Sequence, residues 1–365
     1  MSVVLEPSLA QLFRQWRGAY DKNGPSFGRI QQPLLQDNDT CIQLRDALDR
    51  YFPLAVRDGA GSVRNINACI FDGQSNGSGS WNQSDIEGFA KAGQTGLWIL
   101  ISAFSVDRLR WISLMLLGNK EFRQFAKLDE MPESFIWIGS ELIVQAGLEF
   151  LIFHELGHFM SGNYAVKRGL YPTKGTKALE LEADLFALDR FAESCISSRL
   201  QIMPSRAEWR NLSDHFFSAL ALMGVFSVFA LMAAGKEDRT VGSEYPEFWV
   251  RIQAFCNEFC IGMEDRTSGK QEGFMKALGL LRFASVGFPM VLRELKLDSP
   301  KNLAALTPYA PLKGTYLTLT PEIQSWFEAT GNAMGPYVQE LNVLRNDYGH
   351  LRNRRTKREI WDSNW

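Results

Sequence analysis

The chain has 365 residues, of which 45% are apolar and 22% charged, and its net charge is −2. That length predicts two or three structural units rather than one small core, and the near-neutral balance gives no general reason to expect nucleic-acid binding. Five cysteines (Cys41, Cys69, Cys195, Cys256, Cys260) form no Cys-x-x-Cys pair, which argues against a disulfide scaffold and for a reducing compartment.

The first segment, MSVVLEPSLAQLF, has no basic stretch and carries Glu6 early, so it does not read as a secretory signal. A cytoplasmic location is expected, with inner-membrane association as the alternative. Residues 1–60 read as a helical region, with helices at 8–19 and 41–51. A core region follows over 61–262. INACIF at 66–71 predicts a strand, and the Gly/Ser/Asn-rich stretch 72–85 predicts a surface loop. LWILIS at 97–102 is bulky and β-prone and predicts a second strand. SVDRLRWISLMLL at 105–117 predicts a helix, and PESFIWIGS at 132–140 a further short strand.

From Glu141 to Met160 the chain is apolar and predicts a long helix. After a Gly/Pro/Lys-rich link at 162–175, helices are predicted at about 177–197 and 213–234. Residues 216–235 hold no charge over a length that spans a bilayer. Serines, glycines and alanines dilute the run, so a buried central helix is the expectation and a membrane span the alternative. Residues 263–365 predict a further helical region, with breaks at Ser299-Pro300 and 307–313. Its basic cluster (Arg352, Arg354, Arg355, Lys357, Arg358) reads as a solvated helix end. Cys256 and Cys260, one helical turn apart, read as core packing. The predicted class is α+β, predominantly helical, with a small sheet and helical terminal regions.

Chemistry concentrates in HELGH, residues 154–158. His154 and His158, at i and i+4, project from one helix face, close enough to share an ion. Glu155 completes the HExxH pattern, in which two imidazoles bind zinc and the glutamate deprotonates a water. A catalytic zinc site takes a third protein ligand. His215 and His350 are the only other histidines, one at the border of an apolar helix and one in a polar helix end. KALELEADLFALDRF at 177–191 offers carboxylates instead. Glu180 and Asp184 share a helix face, with Glu182 about 200° away from Glu180. Glu180 is the expected ligand, with Asp184 behind a ligand histidine. Glu182 is the alternate.

HELGH followed by ELEAD resembles the gluzincin metallopeptidases, in particular the HtpX and CAAX-prenyl-protease superfamily. Asn67-Ala68, the LWILISAFSVDRL stretch, Gly162 and EYPEFWVRI at 244–252 (Pro246, Arg251, Ile252) also resemble that superfamily. The resemblance implies a zincin-like core with an active-site helix and a Zn²⁺-dependent endopeptidase acting on protein or peptide. It implies His154, His158 and Glu180 as ligands and Glu155 as base. Tyr245 stands where the superfamily has a histidine, so Tyr245 and Arg251 are the residues expected to assist the oxyanion. A substrate strand is expected on a sheet edge at 97–102. HExxH also resembles the Lit-like phage-exclusion proteases and the ImmA/IrrE regulators. Those likenesses imply a dedicated intracellular defence or toxin-like protease, or a regulator with a single partner.

Overall fold

The computed structural model describes residues 65–71, 88–92, 96–126, 128, 133–160, 173–196, 214–234, 246–266, 270–306 and 339. The predicted helices at 8–19 and 41–51, the loop at 72–85, Tyr245, His350 and the cluster at 352–358 lie outside them.

Strands β1 (Asn65–Phe71), β2 (Gly88–Ala92) and β3 (Gly96–Ser102) pair in the order β1-β3-β2. β1 runs parallel to β3, with Asn67 opposite Trp98, and β2 runs antiparallel to it. β3 is therefore the central strand with both edges paired, so the expectation of a free substrate-binding edge at 97–102 is corrected.

The body of the molecule is helical: α1 (Ala103–Gly118), α2 (Lys120–Phe125), α3 (Glu133–Met160), α4 (Thr173–Ile196), α5 (Asp214–Ala234), α6 (Phe248–Arg266), α7 (Lys270–Glu294) and α8 (Pro300–Leu306). The expected α+β class, with a zincin-like core built on a small sheet, is overturned by this arrangement. The candidate site stands on helices alone, and among residues of described burial only Ile101 of the sheet joins the hydrophobic core. The predicted strand at 132–140 is the first two turns of α3. Ile136, Trp137 and Ile138 are β-prone, but propensity is a weak prior, and continuity with the apolar run beyond them wins.

Two helices are apolar all round, and such helices must be covered on every side. α3 is buried without interruption from Leu142 to Glu155, and α5 from Ser218 to Met232. α3 packs against α1, α4 and α5, while α5 also packs against α6 and α7. By length and composition, Phe216–Ala234 and Glu272–Glu294 each suffice to cross a membrane, yet 83% of the first window is buried inside the fold. Within the fold, α5 is thus surrounded by other helices. Phe150 of α3, Phe229 of α5 and Phe255 of α6 join these helices through edge-to-face contacts, with centroids 5.2 and 5.6 Å apart. Cys256 and Cys260 form no disulfide and are buried in the same core. The core continues through Leu278, Leu281 and Phe288 of α7 to Leu306 of α8, on both sides of residue 262.

α3 and α5 meet backbone to backbone. A Cβ on Gly224 would overlap the Ile143 carbonyl oxygen and lie 2.8 Å from the Gly147 nitrogen. Glycine is required there by space. Gly224→Ala is expected to lower unfolding free energy by about 1–3 kcal/mol, the usual cost of overpacking, despite the better helix propensity of alanine. Urea unfolding followed by circular dichroism checks this, and an unchanged midpoint would contradict it.

Candidate metal centre

The candidate site forms where α3 and α4 lie closest. A Cβ on Gly157 would be 3.0 Å from the Ala183 Cα and 3.1 Å from its carbonyl oxygen. Gly157 immediately precedes His158, and Ala183 immediately precedes Asp184. The small residue lets the two backbones touch, and this contact sets how far the side chains of one helix stand from those of the other.

Three donors converge there. His154 Nε2 and His158 Nε2 are 3.2 Å apart. Glu180 Oε2 is 3.4 Å from His154 Nε2, and Glu180 Oε1 is 3.3 Å from His158 Nε2. The imidazole rings stand at 83° to each other. Zinc–nitrogen and zinc–oxygen bonds of about 2.0–2.1 Å in a tetrahedron place neighbouring donors about 3.3–3.4 Å apart. The two ring nitrogens lie close to that spacing, and the carboxylate reaches them through different oxygens, Oε2 to His154 and Oε1 to His158. Glu180 Oε2 is buried and has no hydrogen-bond partner of good geometry among the described residues. A bound cation would satisfy it. His154, His158 and Glu180 could therefore hold a metal ion, and they form the one such group among the described residues.

Behind His154 stands a second layer. Its Nδ1 is 2.8 Å from Asp184 Oδ1, a contact that favours the proton on Nδ1 and leaves Nε2 facing Glu180 and His158. Asp184 in turn accepts from Arg251, at 2.6 Å from Nε to Oδ2 and 2.5 Å from Nη2 to Oδ1. Glu155 is buried and directly follows His154 on α3. Glu182 is also buried but lies outside the converging group. Arg251 faces Asp184 rather than the three converging donors. Tyr245 and the side chain of His215 lie outside the described residues.

An ion pair with a nearby acid is the other role the sequence offers Arg251, and the structure identifies that acid as Asp184. The pair has a sequence signal: an arginine embedded in FWVRIQAF, a segment too apolar to expose it, requires an acid elsewhere. The role of Gly157 left no comparable signal.

Burial alone would lower the His154 pKa. The hydrogen bonds and negative charges of Asp184 and Glu180 outweigh it and raise the value to about 9. Burial alone would raise Glu180, but His158 and His154 beside it hold its carboxyl well below the usual carboxylate range. In the metal-free state the cluster thus satisfies itself by sharing protons, which a bound cation would displace.

Residues 126–270 match the family model described as Peptidase U49, a span of less than half the chain that contains every described residue of the site. No curated protein and no solved structure matches. The match supports a peptidase, acting on protein or peptide.

Two outcomes follow for the metal centre. A His154 pKa raised on folding stabilises the metal-free fold fully below about pH 6.5, and that contribution is lost as pH climbs through about 9. Chelator-treated protein should therefore be less stable to urea at pH 9 than at pH 6.5, by up to about 3 kcal/mol. Stability that rises over this window would contradict the arrangement. Gly157→Ala should push α4 away and weaken zinc binding about tenfold or more, the range seen when ligand support is lost. Competition with a chromophoric chelator measures it, and unaltered affinity would show that the close contact does not set the ligand spacing.

Proposed function

We propose that the chain is a zinc-dependent endopeptidase that uses His154, His158 and Glu180 as metal ligands and Glu155 as general base. One observation carries the reading: two imidazoles and a carboxylate that converge closely enough to hold an ion, with the buried Glu155 directly following the first histidine in the chain, inside the segment that matches a peptidase family. Zinc bound there supplies a Lewis acid that polarises the scissile carbonyl and brings the pKa of a water toward neutrality. Glu155 accepts the proton of the attacking water and passes it to the leaving amine. Its burial keeps that proton transfer away from bulk solvent. Asp184 holds His154 in the tautomer that offers Nε2. Tyr245 remains the candidate donor to the developing oxyanion.

Structural zinc sites are closed by four protein ligands. The described residues bring together three, which favours a site with a position left for chemistry. The resemblance to Lit-like proteases and the cysteine usage favour an intracellular protease with a dedicated target.

Glu155→Gln is expected to retain zinc and lose cleavage by at least about a hundredfold, the usual contribution of general base catalysis. Glu180→Ala is expected to lose zinc, with Glu182→Ala close to wild type, as read by metal analysis after dialysis. Equal losses from the two glutamate variants would mean that the wrong carboxylate has been assigned. Zinc-loaded protein offered casein and a whole-cell lysate, with new N-termini identified by mass spectrometry, separates the functional readings. A single new terminus is expected, broad cleavage would indicate a general peptidase, and no cleavage would support a binding protein instead.

A further inference from the structure

Arg251 is an arginine with almost no solvent contact, 2% exposed, and Asp184 and His154 are each 1% exposed. An ionised pair this deep is expensive to bury, so its position calls for an explanation beyond stability. The guanidinium engages both Asp184 oxygens. Oδ1 does double duty, since it also lies 2.8 Å from His154 Nδ1. On its other side the guanidinium lies over the Phe229 ring, 5.0 Å from its centroid. Phe229 packs edge to face against Phe150 of α3 and Phe255 of α6. The chain of contacts runs from an aromatic cluster shared by three helices, through Arg251 and Asp184, to the back of His154.

A carboxylate held by one contact can rotate about its Cβ–Cγ bond. One gripped by the planar fork of an arginine cannot, because both oxygens are fixed in the guanidinium plane. Fixing the Asp184 plane fixes where Oδ1 stands, and with it the ring orientation of His154. We infer that Arg251 is a positioning residue for the metal centre: its two-pronged grip on Asp184 locks His154 with Nε2 toward His158 and Glu180, and so governs how tightly the site holds its ion. This inference rests on the metal reading above. It assigns Arg251 to metal retention rather than to the oxyanion.

The test uses the full chain with Arg251→Met, Asp184→Asn and the double variant. Zinc affinity is measured by competition with a chromophoric chelator, helical content by circular dichroism, and the metal-bearing nitrogen of His154 by NMR of the ¹⁵N-histidine protein. Arg251→Met should weaken zinc about 10- to 100-fold at normal helical content, the range for loss of an outer-layer partner. The double variant should be no weaker than the poorer single one by more than about twofold, because both residues act through one path. Affinity within twofold of wild type in Arg251→Met overturns the inference, as do losses that multiply in the double variant. Removing Arg251 strands a buried carboxylate. If that variant fails to fold, Arg251→Lys carries the test, since it keeps the charge without the fork. Several-fold weaker zinc supports the inference, and wild-type affinity overturns it. Wild-type protein that takes up no zinc overturns the metal reading and the inference together, whereas normal zinc uptake with an indifferent Arg251 overturns the inference alone.

Discussion

Everything at the candidate centre depends on how closely two helix backbones approach. α3 supplies His154 and His158, α4 supplies Glu180 and Asp184, and the two touch at Gly157 against Ala183. Within one helix, an i, i+4 pair is brought together by local geometry. Nothing local brings a glutamate from another helix to both imidazoles. That requires interhelical contact, and a side chain at residue 157 would hold the helices apart. Burial of α3 from Leu142 to Glu155 and of α4 from Glu180 to Leu188 then keeps the approach from relaxing.

The centre also shows how an apolar bundle accommodates charge. His154, Glu180, Asp184 and Arg251 are all buried, and each would be costly alone. They are tolerable because each faces another: the imidazoles face Glu180, His154 faces Asp184, and Asp184 faces Arg251. Glu180 Oε2 lacks a hydrogen-bond partner among the described residues while lying 3.4 Å from His154 Nε2. The same three residues that share protons without a metal could hold a cation in place of those protons.

Most of the site was legible in the sequence because its information is periodic. The spacing of His154 and His158, and of Glu180 and Asp184, states which residues share a helix face before any packing is known. Glu180 and Glu182 fall on different faces, and the structure brings the first but not the second to the cluster that could hold an ion. The fold was less legible. FIWI at 135–138 carries the composition of a strand but continues a buried helix, and short apolar runs do not distinguish the two by pattern. LWILIS was recognised as a strand, but not as the central one, because pairing partners are set by contacts distant in sequence. Burial of the charge-free run in α5 settles only what packs around it in the fold. The partnership of Arg251 with Asp184 spans 67 positions, and no periodicity reports such a pair.

The central claim is that two imidazoles and one carboxylate hold a single zinc ion. X-ray absorption spectroscopy of the zinc-loaded full-length protein addresses it most directly, because it reads the identity and distance of the atoms bound to the metal. The account predicts one zinc per chain with only nitrogen and oxygen neighbours at about 2.0–2.1 Å and the multiple-scattering signature of two imidazoles. A sulfur neighbour at about 2.3 Å, or a spectrum unchanged when His158 is replaced by alanine, would contradict it.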